Sequence, residues 1–76
     1  AGVSDYDALK NMGDISFLKN DFASAVKYYD KAIALQATDA IVFNNRGKAK
    51  LSLGDVPGSL LDFDKAISIK PDYSKA

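Results

Sequence analysis

The strongest constraint on this chain is that it repeats itself. Shifted by 34 residues, Asn11 falls on Asn45, Gly13 on Gly47 and Asp21 on Asp55. The run Asp30-Lys31-Ala32-Ile33 falls on Asp64-Lys65-Ala66-Ile67. Conservative pairs fill the gaps: Leu9 with Phe43, Phe17 with Leu51, Ala25 with Ser59, Tyr29 with Phe63 and Leu35 with Ile69. A period of this length means copies of one supersecondary unit, each unable to hide its apolar face alone and each covered by its neighbour. Two copies occupy nearly all of the 76 residues.

Each copy reads as two helices. Between Asp5 and Lys19 the large apolar residues Tyr6, Leu9, Met12, Ile15, Phe17 and Leu18 form one broad stripe at helical spacing. Asn20-Asp21 breaks it, and Asp21 suits the N-cap of a second helix, Phe22 to Leu35. Its inner face is Phe22, Ala25, Val26, Tyr29, Ala32, Ile33 and Leu35. After the polar break at Thr38-Asp39, Asp39 caps a third helix from Ala40 to Leu53, and Gly54 stands where a helix-ending glycine belongs. Asp55 caps a fourth, Val56 to Ile69, which tolerates Pro57 in its first turn. Pro71 closes the pattern, and Asp72 could cap a fifth helix that the chain does not complete. Nothing reads as strand, and connections this short make neighbouring helices antiparallel, so the expected fold is all-α.

Gly13 and Gly47 sit inside helices, where each costs about 1 kcal/mol relative to alanine. A repeated cost of that kind implies close approach of the partner helix. Ala25, Ala32, Ser59 and Ala66 are small enough to permit it, and Tyr29 and Phe63 are the large side chains that fill the remaining space.

The 34-residue period, with Leu9, Met12-Gly13, Ala25, Tyr29 and Ala32 in one copy and Phe43, Arg46-Gly47, Ser59, Phe63, Ala66 and Pro71 in the other, resembles the tetratricopeptide repeat. Ala37 departs from it where proline is usual, and Ser16 and Lys50 where tyrosine is common, which weakens packing within each pair. The resemblance implies two antiparallel hairpins stacked as a right-handed α-solenoid. Residues 6–39 form the first repeat and 40–73 the second. Residues 1–5 are a leading tail whose Ala1-Gly2 reads as a cloning remnant, and 74–76 begin a third hairpin of a longer array. It also implies a non-catalytic scaffold whose concave wall binds an extended segment of another protein.

In the resembling family the groove-facing positions correspond to Lys10, Asp14, Phe17 and Leu18, and to Ile41, Asn44, Asn45, Lys48, Leu51 and Ser52. Lys10, Asp14 and Phe17 are three or four apart, as are Ile41, Asn44, Lys48 and Leu51, so each set shares a helix face. Asn44 and Asn45 carry both donors and acceptors, which suits grasping a peptide backbone. The bland alternative makes these solvated surface, with Phe17 and Leu51 in the core. Some members of the family hold chaperone C-termini with a two-carboxylate clamp, and Lys10, Asn45 and Lys75 fall on its positions. Asp14 replaces an asparagine of that clamp, and its charge repels the carboxylate to be held.

Composition narrows the rest. With no Cys and no His, the usual zinc sites, thiol nucleophiles and Ser-His-Asp triads are absent. No phosphate, dinucleotide or metal motif appears, so neither an enzyme nor a cofactor is expected. Ten Lys+Arg against ten Asp give no net field for nucleic acid or an anionic membrane. Arg46, Lys48 and Lys50 do cluster, but no aromatic interleaves with them, and Asp62 and Asp64 on the next helix can pair with them. Asp62 and Asp64 diverge on a helix and make no acid–base pair. Of Tyr28-Tyr29, one ring packs and one lies on the surface. No apolar run approaches a membrane span, nor does residues 1–5 look like a signal peptide. The compartment stays open, with the cytoplasm favoured. The second reading of function is assembly: Leu60, Leu61, Ile67 and Ile69 leave an uncapped apolar end through which the chain is expected to self-associate.

Overall fold

The computed structural model describes residues 4–70, and within that span every regular element is an α-helix. They are α1 (Asp5–Leu18), α2 (Phe22–Leu35), α3 (Ala40–Ser52) and α4 (Val56–Ile69). α1 packs on α2 and α3 on α4 as hairpins, and α2 packs on α3 to join them. Pro71, Asp72, Lys75 and the expected start of a third hairpin lie outside the described residues.

Local chemistry sets the helix ends. The side chains of Ser4, Asp21, Asp39 and Asp55 accept hydrogen bonds from the N–H groups of Asp7, Ser24, Ile41 and Gly58, satisfying donors that have no partner inside a helix. The turns at 19–21 and 53–55 are copies of one another. Asn20 (φ 63°) and Gly54 (φ 89°) take the left-handed conformation. Asp21 N–H reaches Ser16 O at 2.9 Å, and Asp55 N–H reaches Lys50 O at the same distance. Asn20 N–H bonds Phe17 O, and Gly54 N–H bonds Leu51 O, both at 3.0 Å. Each hairpin therefore ends its first helix in a Schellman motif whose last residue is already the cap of the next helix.

The two interior glycines account for themselves. A Cβ on Gly13 would lie 2.6 Å from Tyr29 Cε1, and one on Gly47 would lie 2.8 Å from Phe63 Cε1. Ala25, Ala32, Ser59 and Ala66 are buried beside them, as expected. One core cluster joins Ala25 and Tyr29 of α2 to Val42 and Ala49 of α3, flanked by Tyr6, Phe17, Phe22, Val26 and Ile33. A second joins Ala40, Phe43 and Ala66, flanked by Ile33 and Ile69. Ile33 touches both and so ties the hairpins together. Tyr29 is the packed ring of its pair and Tyr28 is half-exposed.

Three expectations need correction. The stripe on α1 is not all core: Met12, Ile15 and Leu18 are exposed, and none of them packs against either core cluster. Leu35, placed on the inner face of α2, is exposed at its last residue. Ile69, assigned to the open end, turns back onto Ala40, Phe43 and Ala66, whereas Leu60, Leu61 and Ile67 are exposed.

Candidate functional site

A cavity of about 300 Å³ opens between the hairpins, lined by Asp14, Phe17 and Leu18 of α1, Tyr29 of α2 and Asn45 of α3. Its polar centre is a short chain. The Tyr29 hydroxyl donates to Asp14 Oδ1, and Asn45 Nδ2 approaches the same oxygen at 3.5 Å. Glycine at position 13 lets the Tyr29 ring lie against α1 and reach a carboxylate one residue further on. No hydrogen bond among the described residues ends on Asp14 Oδ2 or Asn45 Oδ1, and both residues line the cavity and are half-buried. Phe17, half-buried, meets Phe22 edge to face at 5.4 Å, so the apolar wall of the cavity is held from behind.

Of the residues named from sequence, the structure brings Asp14, Phe17 and Asn45 together, with Leu18 beside them. Lys10 and Asn44 are half-buried and Lys48 is exposed, and none lines this cavity. Ile41 lines a different one of about 280 Å³, with Gln36, Thr38, Asp39, Ala40 and Lys70. Lys75 lies outside the described residues. Tyr29 was expected only as a packing residue. Its hydroxyl is the signal that was available, since buried tyrosine seeks a partner and Asp14 lies on the helix it faces.

Burial first, then the hydrogen bond to Asp14 and its charge, push the Tyr29 phenol well above the usual tyrosine range. Tyr6 is raised in the same way by burial and by its 2.8 Å bond to Asp39 Oδ2. Both keep their protons in the folded chain at pH values where an unfolded chain loses them, so the folded state binds more protons above about pH 10. Stability from these bonds is intact below that value and is lost as pH rises through the folded-state values. Urea midpoints are expected to fall between about pH 9 and about pH 11, and to fall less in Tyr29→Phe. An equal drop in both proteins contradicts the assignment to Tyr29.

Two members of the basic cluster on α3, Arg46 and Lys50, are held in ion pairs, and the third, Lys48, is exposed. Arg46 grips buried Asp62 through Nε (2.8 Å) and Nη2 (2.6 Å) and reaches Asp30 of α2 through Nη1 (2.7 Å). Lys50 Nζ lies 3.3 Å from Asp62, so the position where a tyrosine was expected serves the ion pair instead. Asp64, offered from sequence as a second partner, is exposed and takes no part in these pairs. Burial disfavours the Arg46 charge, but the bonds to Asp62 and Asp30 outweigh it and its pKa is raised.

Stacked helical hairpins with a cavity between the two units define a helical-repeat protein. The chain belongs to the tetratricopeptide-repeat family: the family's TPR repeat model matches residues 13–54. Among its relatives are the STIP1 homolog of Dictyostelium discoideum (42% identical over 66 residues, 87% of this chain and 12% of that protein). The Hsp70-Hsp90 organizing protein 2 of Arabidopsis thaliana is 38% identical over 91% of this chain and 12% of its own length. A serine/threonine-protein phosphatase T of Trypanosoma brucei brucei is 39% identical over all of this chain and 16% of its own length. The chain thus spans about an eighth of the first relatives it matches. Repeats of this family mediate interaction between proteins and are in general not catalytic.

Proposed function

We propose that this chain is a non-catalytic scaffold that holds an extended peptide of a partner protein against the cavity between its hairpins. The observation that carries the reading is the pairing of Asp14 from the first hairpin with Asn45 from the second, beside the Phe17 ring. A peptide laid there meets acceptors from Asp14 Oδ2 and Asn45 Oδ1 and an apolar wall. That set suits backbone N–H groups or a basic side chain. It does not suit a terminal carboxylate, which would face the Asp14 charge directly. The Arabidopsis relative is named for organizing Hsp70 and Hsp90, which makes the tail peptides of those chaperones natural probes.

The test uses a chaperone tail peptide with a free C-terminus, the same peptide amidated, and a basic peptide of equal length, titrated by fluorescence anisotropy. The amidated and basic peptides are expected to bind more tightly than the free acid. Asp14→Asn is expected to improve the free acid by about tenfold, or 1.4 kcal/mol. Asn45→Ala is expected to weaken every peptide that binds. Affinities indifferent to Asn45→Ala, or a wild-type preference for the free acid, would overturn the reading.

A further inference from the structure

α2 is covered because α3 lies on it. Its stripe of Phe22, Val26 and Ile33, around buried Tyr29, packs against a cluster that includes Val42 and Ala49 of α3. Thirty-four residues on, Val56, Leu60 and Ile67 hold the same positions around Phe63, yet Leu60 is 57% exposed and Ile67 42%. The covering face has its own earlier counterpart. Arg46 and Ala49 of α3 correspond to Met12 and Ile15 of α1, which are 44% and 52% exposed. Among the described residues, α4 therefore carries a stripe that needs cover, and α1 carries a face of the kind that gives it.

We propose that these two faces are the halves of a single interface, through which copies of this chain join head to tail, α1 of one on α4 of the next. The occupant of the α4 stripe is a second copy because the contact continues one already present in the chain, displaced by one repeat. In the α2–α3 contact the residue at this register is Arg46, whose partner across that contact is Asp30. Met12 stands in its place on α1 and needs no ion, so the new contact is more apolar than its model and leaves Asp64 at the rim. The two faces are different surfaces, so the contact is heterologous: each added copy buries one face of each kind and presents another, and growth continues past the dimer unless the rotation between copies closes a ring.

Sedimentation of the chain from ~1 μM to ~1 mM is expected to show a mass that climbs with concentration without levelling at a dimer. Leu60→Asp destroys one face and Ile15→Asp the other, and each alone is expected to hold the chain at monomer, with association weakened at least about tenfold. Mixed together, the two variants still offer one intact face each and are expected to give a 1:1 dimer and nothing larger. Both positions are exposed, so helical circular dichroism should match the parent, as should the thermal melt at ~1 μM, whereas at ~1 mM the parent alone gains stability from association. Leu60→Lys and Ile15→Lys repeat the test with the opposite charge. A parent that stays monomeric overturns the proposal. So does an Ile15→Asp chain that still dimerises, which would mark a symmetric α4–α4 contact, or a mixture that fails to pair.

Discussion

Arg46→Ala is expected to cost about 3–5 kcal/mol, because it leaves the Asp62 carboxylate buried without its main partner. Asp62 is only 3% exposed, and Arg46 satisfies both of its oxygens while its guanidinium lies 5.5 Å from the centroid of the Phe43 ring. A domain of this size has about 4–11 kcal/mol of stability in total. The loss therefore lowers the melting temperature by about 15 °C or more. Two companion variants rank the network. Asp30 is 54% exposed, so Asp30→Ala should cost no more than about 1 kcal/mol. Lys50→Ala should fall between, since Lys50 reaches a single oxygen of Asp62. Replacing both charges, Arg46→Met with Asp62→Leu, should recover most of the loss, because the cost lies in the stranded charge and not in the missing pair. A melt of Arg46→Ala within a few degrees of the parent would show that water reaches Asp62 and supports it.

Much of this was legible in the sequence because the features that set the fold are local or repeated. The caps at Asp21, Asp39 and Asp55 act on N–H groups two or three residues away, so helix starts could be read directly. Gly13 with Tyr29 and Gly47 with Phe63 are the same long-range fit written twice, and the repeat made it visible. The ion network was harder. Asp62 could be named from the neighbouring helix, but Asp30 reaches Arg46 from the first hairpin. One signal was present: Met12 becomes Arg46 and Tyr28 becomes Asp62 between the copies, so two positions change together. The apolar faces misled for a physical reason. Spacing shows that Met12, Ile15 and Leu18 share a stripe, but a stripe awaiting a neighbour is written like one that already has it. In the cavity, Asp14 and Asn45 could be placed on one wall. That the Tyr29 hydroxyl binds Asp14 depends on a ring crossing between helices, which no spacing rule contains.

Tyr29→Ala is expected to remove about 3–5 kcal/mol, since it empties the centre of the larger core cluster and also strips Asp14 of its shorter hydrogen bond. The more searching result is the sign of a second change measured with and without it. In the parent, Gly13→Ala gains about 1 kcal/mol of helix propensity but drives a methyl into a ring whose atoms lie 2.6 and 2.7 Å away. Overpacking of that kind costs about 1–3 kcal/mol, and the ring cannot retreat while its hydroxyl holds Asp14, so the net effect is destabilising. Once Tyr29 is alanine the clash is gone and only the propensity remains, and Gly13→Ala should stabilise by about 1 kcal/mol. Sucrose or trimethylamine N-oxide keeps the weaker variants folded enough for urea melts to be compared. Such a reversal cannot arise if glycine is present merely for backbone freedom, since that role is blind to the residue at position 29. If Gly13→Ala has the same sign in both backgrounds, the two helices are not held apart by this contact, and the reason for the repeated glycine has to be sought elsewhere.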